Sequence, residues 1–484
     1  MSAQIWAKAF GTPEHEQAYS CIAKDSVLIV AGDRWSNGFF NGVVAGFSPS
    51  GQLSWAFELN NALEGYPTTL QLSSDSLPLV ISSVPNNTVD KGYGLMIKLN
   101  SQADVMWARR YYTPLETRLT KSAAAPGGNI LLPGSVQSDT GPIPMVWKVS
   151  SDQGRKRWCV FLSGIKGEAS CAACPTENRY LVFGHGLVNG SGDVGFVAGL
   201  DSTGLLLWSK SLGSGFVPLD AAVVGSSVAF CGYYSFYYGQ YKKMFVARMN
   251  SDGQLLWCVL SDDSTGTSAF GISVDQNGHL LVSGYSENIT PDVRQAVLLV
   301  MDTGGQVIRG LAFTPDASGE FRDALQLGEN RFVLGGTTTQ GTGGVDILVL
   351  AVDSSGEFPG CTEDYRPGVR FFSPDTGSLT LSQPYIYSNY ETISGDISPL
   401  SLRQTDACVD VQEHAGPVRC SALCFGIPGG LAMTGPGPVR VYSVDGRQVF
   451  QGWFPPGRHF VKLDPGVFFW QVDSQRGSAV VPPQ

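Results

Sequence analysis

Apolar runs a few residues long, each broken by Gly, Asn or Asp, recur in phase along the first three quarters of the chain. In one unit Ala269 to Val274, Leu280 to Ser283 and Ala296 to Met301 read as strands a, b and c, and Gln254 to Val259 as strand d of the unit before. Asp275-Gln276-Asn277-Gly278 and Asn250-Ser251-Asp252-Gly253 supply turns between them, because glycine takes positive φ and Asn or Asp bonds the local backbone. Strand c is apolar almost throughout, as in Val43-Val44-Ala45, Leu95-Met96-Ile97, Phe196-Val197-Ala198 and Ile347-Leu348-Val349-Leu350. Such a strand is buried on both faces, as happens when four-stranded sheets stack radially.

Two residue types hold the phase. Trp6, Trp55, Trp107, Trp158, Trp208 and Trp257 recur every 49 to 52 residues, and the slots that follow are Arg309 and Gly360. Four residues before each slot from Trp55 onward stands Gly51, Gly154, Gly204, Gly253, Gly305 or Gly356, with Ala103 the one exception. A third marker closes strand b: Gly32, Gly134, Gly184, Gly232, Gly284 and Gly336, with Ser83 standing in once. A period of about 50 residues with four strands predicts a β-propeller. Seven a-b-c triples end with Arg322 to Asp353, and seven d slots run from Trp6 to Arg309. The first d strand, Ile5 to Phe10, precedes any triple and is expected to complete the last blade, which removes an exposed sheet edge. The fold class expected is therefore all-β: a seven-bladed β-propeller over residues 1–360, a β-rich connector over 361–410, and a small C-terminal β-sandwich over 411–484.

Units of this form resemble the β-propeller repeats common in secreted proteins of Bacteroidota. Asp201-Ser202-Thr203-Gly204-Leu205-Leu206-Leu207-Trp208 is also similar to the tryptophan-docking motif of quinoprotein-type propellers. The resemblance covers about residues 4 to 360, and it implies a fold without assigning an activity.

After Gly360 the period stops. Cys361 and Cys408 bracket a Ser-, Thr-, Tyr- and Pro-rich stretch in which Ser378-Leu379-Thr380-Leu381 and Pro384-Tyr385-Ile386-Tyr387 alternate as strands do, and a Cys361 to Cys408 disulfide is expected to staple it. Further on, Val439 to Phe450 is a strand, an Asp445-Gly446 turn and a second strand, hence a hairpin. Gly457 to Leu463, Pro465 to Val472 and Gly477 to Val481 add three more strands. This order resembles the C-terminal sorting domain of type IX secretion substrates, through the Tyr442 to Val449 turn segment, the Pro465-Gly466-Val467-Phe468 approach and the apolar end Ala479-Val480-Val481. The resemblance implies recognition of residues 411–484 by an outer-membrane export machinery and a secreted or cell-surface location. Two departures stand against it: no Pro-Asn-Pro opens the domain, and the chain ends Pro482-Pro483-Gln484 where the family has a basic residue.

Composition narrows the functional classes. The chain carries 59 glycines in 484 residues, where average usage gives about 34, and 15% charged residues against a usual ~25%, so turns are many and charged helical faces few. A net charge of −10 repels phosphate backbones and argues against nucleic acid as a partner. No apolar run reaches the ~18 residues that span a bilayer, and Met1 to Trp6 has neither the basic nor the apolar part of a signal peptide, although Ser2-Ala3 before Gln4 reads like the tail of a cleavage site. Ten cysteines fit an oxidising compartment.

Dispersed histidines at 15, 185, 279, 414 and 459, with no His-Glu-x-x-His, Gly-x-Ser-x-Gly or phosphate-cradling loop, give no catalytic residue, metal site or cofactor to assign. Pro13-Glu14-His15-Glu16 could bind a metal but reads better as a solvated loop, and Cys171-Ala172-Ala173-Cys174 reads better as buried thiols, or a disulfide to Cys159, than as redox or zinc chemistry. Sialidase Asp-boxes place glycine three residues before the aromatic, whereas here it stands four before, and quinoprotein alcohol dehydrogenases carry an adjacent cysteine pair and eight blades.

Loop lengths say more. The b-c and d-a loops share one face of such a ring, and here they are long and aromatic: Trp35, Phe39 and Phe40 in blade 1, Tyr111 and Tyr112 before blade 3, and Tyr233, Tyr234, Phe236, Tyr237, Tyr238 and Tyr241 in blade 5. Rings on loops held by a rigid scaffold suit contacts to a glycan or a protein. The function expected is a binding or interaction module acting through this face, with a carbohydrate-active enzyme or quinoprotein-like propeller on the same face as the alternative.

Overall fold

In a computed structural model of the chain, residues 5–407 are described apart from 25–26, 37–38, 60–64, 85–91, 189–192, 237–240, 263–265, 288–293, 314–317, 329–330, 340–343, 354–357, 359–360 and 395–396, and beyond them the backbone of seven strands between 424 and 481. Among the described residues every regular element is a strand, so no helix is long and apolar enough to cross a membrane. The chain divides into two units, Met1–Asp410 and Val411–Gln484.

The first unit is a seven-bladed propeller. In blade 5, Phe216–Val224, Ser227–Phe236, Tyr241–Asn250 and Leu255–Ser261 pair in antiparallel order from the axis outward, and six further sheets repeat the arrangement. The ring closes as its strand count requires. Trp6–Gly11 pairs antiparallel with Asp346–Asp353 of blade 7, in the register Trp6 to Ala351 and Phe10 to Ile347. Trp6, Ala7, Ala9 and Phe10 are buried there, so the chain start is part of the core.

The sequence markers acquire a physical cause. Trp6, Trp107, Trp158 and Trp257 each donate the indole N–H to a carbonyl in the c-d turn of the next blade, those of Pro49, Asp152, Ser202 and Thr303, at 2.8 to 3.0 Å. The acceptor is always two residues before the marker glycine. That glycine takes φ of +64° to +91° at Gly51, Gly154, Gly204, Gly253 and Gly305, and the indole lies on it so closely that a Cβ at Gly253 would stand 2.4 Å from the Trp208 ring. Trp6, Trp107, Trp158 and Trp257 thus each clasp one blade to the next. The strand-b marker in blade 2 is Ser82 and not Ser83, since Ser82 pairs with Pro67 just as Gly32 pairs with Ala18. Blade 2 has an apolar run of the same length, and the sequence offers no glycine there to fix the phase.

Residues 361–407 run around the rim. Thr362–Asp364 adds a fifth strand to blade 6 and Val369–Phe371 to blade 5. Single bridges Ser378 to Lys210 and Ser382 to Ser163 touch blades 4 and 3. Then Asn389–Ile393, Ile397–Pro399 and Arg403–Asp406 pair with the outer strands of blades 2, 1 and 7. The stretch around Ser378 to Tyr387, which alternates in sequence, forms bridges rather than strands: Leu379 and Leu381 pack into the blade 4 cluster. The Gln383 side chain accepts from the Leu206 N–H and donates to the Gly204 carbonyl, filling the place of a paired strand. Cys361 is fully buried and disulfide-bonded, and Cys408, its expected partner, lies outside the described residues.

In the second unit, Cys424–Ile427, Gly430–Thr434 and Arg458–Lys462 form one antiparallel sheet. Gln448–Phe454, Gly437–Ser443, Gly466–Val472 and Gln475–Val481 form another. The hairpin expected around Asp445-Gly446 corresponds to the pairing of Gly437–Ser443 with Gln448–Phe454, its turn residues 444–447 lying outside the described set.

Candidate functional site

Six of the seven innermost strands carry a one-residue bulge at the same position, and in blade 3 the strand breaks there between Glu116–Leu119 and Ala123–Ala125. The residues at this position are Tyr19, Thr68, Thr120, Ser170, Leu219, Phe270 and Arg322, and the next ring is Ser20, Thr69, Lys121, Cys171, Asp220, Gly271 and Asp323. In this second ring Lys121 reaches across the axis, donating to Asp220 Oδ2 at 2.7 Å, with Asp323 Oδ1 at 4.0 Å. Each carboxylate also accepts from the following blade: Asp220 from the Ile272 N–H at 2.8 Å, Asp323 from Ser20 Oγ at 3.0 Å and the Cys21 N–H at 3.2 Å. Burial alone would pull the Lys121 ammonium down, but Asp220 and Asp323 outweigh it and hold it above its ordinary value, so it stays charged. Burial pushes Asp220 up, against the pull of Lys121. The thiols of Cys21, Cys171 and Cys231 around this cluster are pushed up by burial and remain neutral. A well of about 520 Å³ opens from the cluster toward the short-turn face, walled by the inner strands of all seven blades.

Toward the long-loop face, the bulge ring becomes aromatic and charged. The Arg322 guanidinium lies 3.9 Å over the Phe270 ring, and Phe270 packs on Tyr285, over which Arg294 lies at 4.5 Å. Arg322 pairs with Glu320, which also holds Arg294 at 3.2 Å. Tyr19 donates to Asp33 at 2.9 Å. Burial pushes the Asp33 carboxyl up to about 6, although Tyr19 and Arg322 pull the other way. A buried acid that titrates near neutrality beside the axis is the kind of group found at functional sites.

Between blades 3 and 4 the same face opens into a cleft of about 440 Å³. Arg118, Lys166, Glu168, His185 and Asp193 line it, with Gln137 on the far wall. The pairing of strands a and b in blade 4 sets Glu168 directly opposite His185, so both project from one side of the sheet. His185 Nδ1 lies 3.3 Å from Ser170 Oγ, and Nε2 lies 3.8 Å from Asp193 Oδ2. The ring is oriented from both ends while 21% of its side chain stays exposed. Among the described residues no group of three His, Cys, Asp or Glu side chains is close enough to hold a metal ion.

The residues expected from sequence fall into separate places. Trp35 and Phe40 are 41% and 38% exposed and meet edge to face at 4.4 Å, with Tyr66 against Phe40 at 5.2 Å, forming an aromatic ledge on blade 1. Tyr233 is half-buried under Lys242, whose ammonium lies 4.4 Å from the ring, and burial first, then Asp193 and Glu168 of the cleft, push its phenol up. Tyr234 turns inward onto Phe216 at 4.7 Å and Phe372 at 5.8 Å. Tyr111, on strand d of blade 2, is fully buried and donates to the Gly154 carbonyl. The side chains of Phe39 and Phe236, and all of Tyr237 and Tyr238, lie outside the described residues. His15 opens strand a of blade 1, and Cys159, Cys171 and Cys174 are unpaired thiols. Sequence reasoning missed the axial cluster and the cleft. Aligning the repeats on the strand-b marker puts Lys121 and Asp323 in one column, thirteen residues before Gly134 and Gly336, but Asp220 stands twelve before Gly232 and falls out of it.

No protein-family model and no curated protein sequence matches the chain. Among solved structures it is similar to a chain of Kuenenia stuttgartiensis hydrazine synthase, with 12% identity, TM-score 0.41, and 59% of this chain and 76% of that chain covered. It is similar to Chaetomium thermophilum Sqt1, with 12% identity, TM-score 0.40 and coverage of 72% and 97%. It is also similar to the polysaccharide lyase Uly1, with 8% identity, TM-score 0.44 and coverage of 69% and 90%. Likeness at this level carries no function, and the assignment of the chain to the seven-bladed β-propellers rests on its own strand pairing.

Proposed function

We propose that the protein is a binding module that takes a glycan or protein ligand on the long-loop face, with the cleft between blades 3 and 4 as the centre of the site. The observation that carries this reading is the composition of that cleft. Lys166, Glu168, His185 and Asp193 stand around an open volume. Mixed charge suits the hydroxyls and charged substituents of a saccharide or the polar side chains of a protein loop. Tyr233 beside the cleft and the Trp35, Phe40 and Tyr66 ledge across the axis supply rings for stacking. The test is an array of glycans and proteins probed with the full chain. A ligand that loses about tenfold or more in affinity with Lys166→Ala or Tyr233→Ala, at unchanged unfolding midpoint, supports the site. A ligand indifferent to both excludes it.

One observation favours the catalytic alternative, a carbohydrate-active enzyme on the same face: the Asp33 carboxyl, held near 6 by burial, can both take and release a proton around neutrality. Glycan turnover with an acid limb near pH 6 that disappears in Asp33→Asn is its test.

We further propose that the protein is secreted or displayed at the cell surface and that residues 411–484 serve its export through a type IX machinery, as the resemblance of this unit implies. Truncation after Asp410 should leave a folded propeller that a type IX-competent host no longer delivers to its surface. Normal delivery of the truncated chain rules the role out.

A further inference from the structure

The slot that holds tryptophan in six blades holds Arg309 in blade 6. Arg309 lies on Val307–Phe313, opposite Val300 of the neighbouring strand. Beside it, at the seam with blade 7 on the short-turn face, opens a cleft of about 270 Å³. Val300, Ile308 and Phe332 of blade 7 give it an apolar wall, while Arg309, Arg366 of the rim segment and His279 bring three nitrogen-bearing side chains to it. Among the described residues that line it Asp275 is the one acid, and its oxygens are already engaged. Oδ1 accepts the Asn277 and His279 N–H groups at 2.9 and 2.7 Å, and Oδ2 lies 3.0 Å from His279 Nδ1. The Asp275 side chain is 2% exposed and that of His279 37%, so a buried carboxylate holds a ring that faces the cleft. A carboxylate only accepts, hence Nδ1 carries the ring proton and Nε2 is left as the acceptor, without a partner among the described residues. Arg366 pairs with Asp364 at 3.2 Å with both side chains about two-thirds exposed, a contact that water weakens and an incoming anion replaces at little cost.

We propose that this cleft between blades 6 and 7 is a binding site for a phosphate monoester. Two guanidiniums at one cleft run against the charge of a chain that carries −10 overall, and planar forks of N–H groups match the oxygens of a phosphate. His279 selects among oxyanions. A phosphate monoester loses its second proton at about pH 6, so near neutrality the ester and the imidazole hold one proton between a phosphate oxygen and Nε2 whichever of them formally carries it. A sulfate ester offers similar oxygens but brings no such proton, and a carboxylate lacks the third oxygen. The wall of Val300, Ile308 and Phe332 receives the first carbons of the esterified group. The site lies on the opposite face from the cleft between blades 3 and 4 and is independent of it.

The test uses the full chain with n-butyl phosphate, n-butyl sulfate and 1-butanol at pH 7, read by isothermal titration calorimetry and by the imidazole resonances that disappear in His279→Gln. Butyl phosphate should bind saturably and move those resonances, butyl sulfate should bind about tenfold more weakly for want of the shared proton, and butanol should show no saturable binding. Arg309→Gln and Arg366→Gln each remove a charge-assisted hydrogen bond and should weaken butyl phosphate by about tenfold. Arg366 stands exposed on the rim, so its variant folds whatever Arg309 contributes to blade packing. His279→Gln should abolish the preference for phosphate over sulfate, a change that a purely structural role of the ring would not produce. No saturable binding of butyl phosphate by the unmodified chain, unchanged affinity in Arg366→Gln, or a phosphate preference that survives in folded His279→Gln overturns the proposal.

Discussion

Replacing Lys121 by methionine tests whether the axial cluster is a charge-balanced tie between blades. The variant keeps the side-chain length and removes the ammonium that pairs with Asp220 and faces Asp323 across the axis. The thiols of Cys21, Cys171 and Cys231 that surround the pair carry no charge to replace it. Removing one partner of a buried pair leaves an uncompensated charge and costs about 3 to 5 kcal/mol. With an unfolding entropy of ~2.1 cal/mol/K per residue, the propeller unit loses roughly 0.9 kcal/mol per degree, so the midpoint should fall by about 4 to 6 °C at pH 7.5. The deficit should depend on pH with a definite sign. Burial raises Asp220 above its unfolded value even with Lys121 present, so the folded state binds the proton more tightly and this group favours folding at low pH. That stability is lost as pH rises from about 4 through the raised folded value. Without Lys121 the folded value rises further, and the window widens upward. Melting both proteins from pH 4.5 to 8 by circular dichroism should show a deficit that is largest at high pH and shrinks toward pH 4.5. A deficit of equal size at every pH, or one below 1 °C throughout, refutes the reasoning.

Three further outcomes follow from the clasps, the closure and the rim. Trp158 donates to Ser202 at 3.0 Å, while the Trp208 N–H is buried without an acceptor, so Trp158→Phe should cost about 1 to 2 kcal/mol more than Trp208→Phe in denaturant unfolding, and equal costs would deny the clasp its hydrogen bond. Deleting residues 1–10 removes the buried Trp6 and Phe10 and should lower the midpoint by about 10 °C, since each ring contributes about 3 to 5 kcal/mol; an unchanged midpoint would contradict the closure. Tyr234→Ala should destabilise by about 2 kcal/mol because its ring packs on Phe216 and Phe372, while Tyr233→Ala should leave the melting curve in place, and the reverse order would exchange the packing and contact roles of the two tyrosines.

The ring was legible in the sequence because the clasp between neighbouring blades recurs at one spacing, with the same indole-to-carbonyl bond at four of the seams. A tryptophan that must reach the carbonyl two residues before a left-handed glycine in the next blade can only do so at one spacing, and that spacing is visible as the Trp and Gly period. Ser82 shows the limit of the method: where glycine is absent, nothing in an apolar run distinguishes one phase from the next. The site was less legible for a related reason. Aromatic loop residues are conspicuous, yet the same residue type serves opposite ends, as Tyr234 packed inward and the exposed Trp35 demonstrate. Lys121, Asp220 and Asp323 are about 100 residues apart, and only the equivalence of their positions in the inner wall brings them together.

The rim segment left the weakest trace and changes the picture of the propeller most. Its five strands are three to five residues long, each pairs with a different blade, and in places they give way to one side chain such as Gln383, so no period can record them. It meets blades 6, 5, 4, 3, 2, 1 and 7 in that order, opposite to the direction in which the chain laid the blades down. An outer strand in a propeller presents an open edge that invites pairing with other chains, and this chain covers part of every such edge with its own backbone. The last contact closes the circle a second time. Arg403–Asp406 pairs with Trp6–Gly11, and Lys8 is bound to Asp406 at 2.5 Å, so the strand that seals blade 7 is itself held between the ring and the rim. Opening the ring at the chain start therefore requires the end of the rim segment to come away as well, and the two closures protect the same seam.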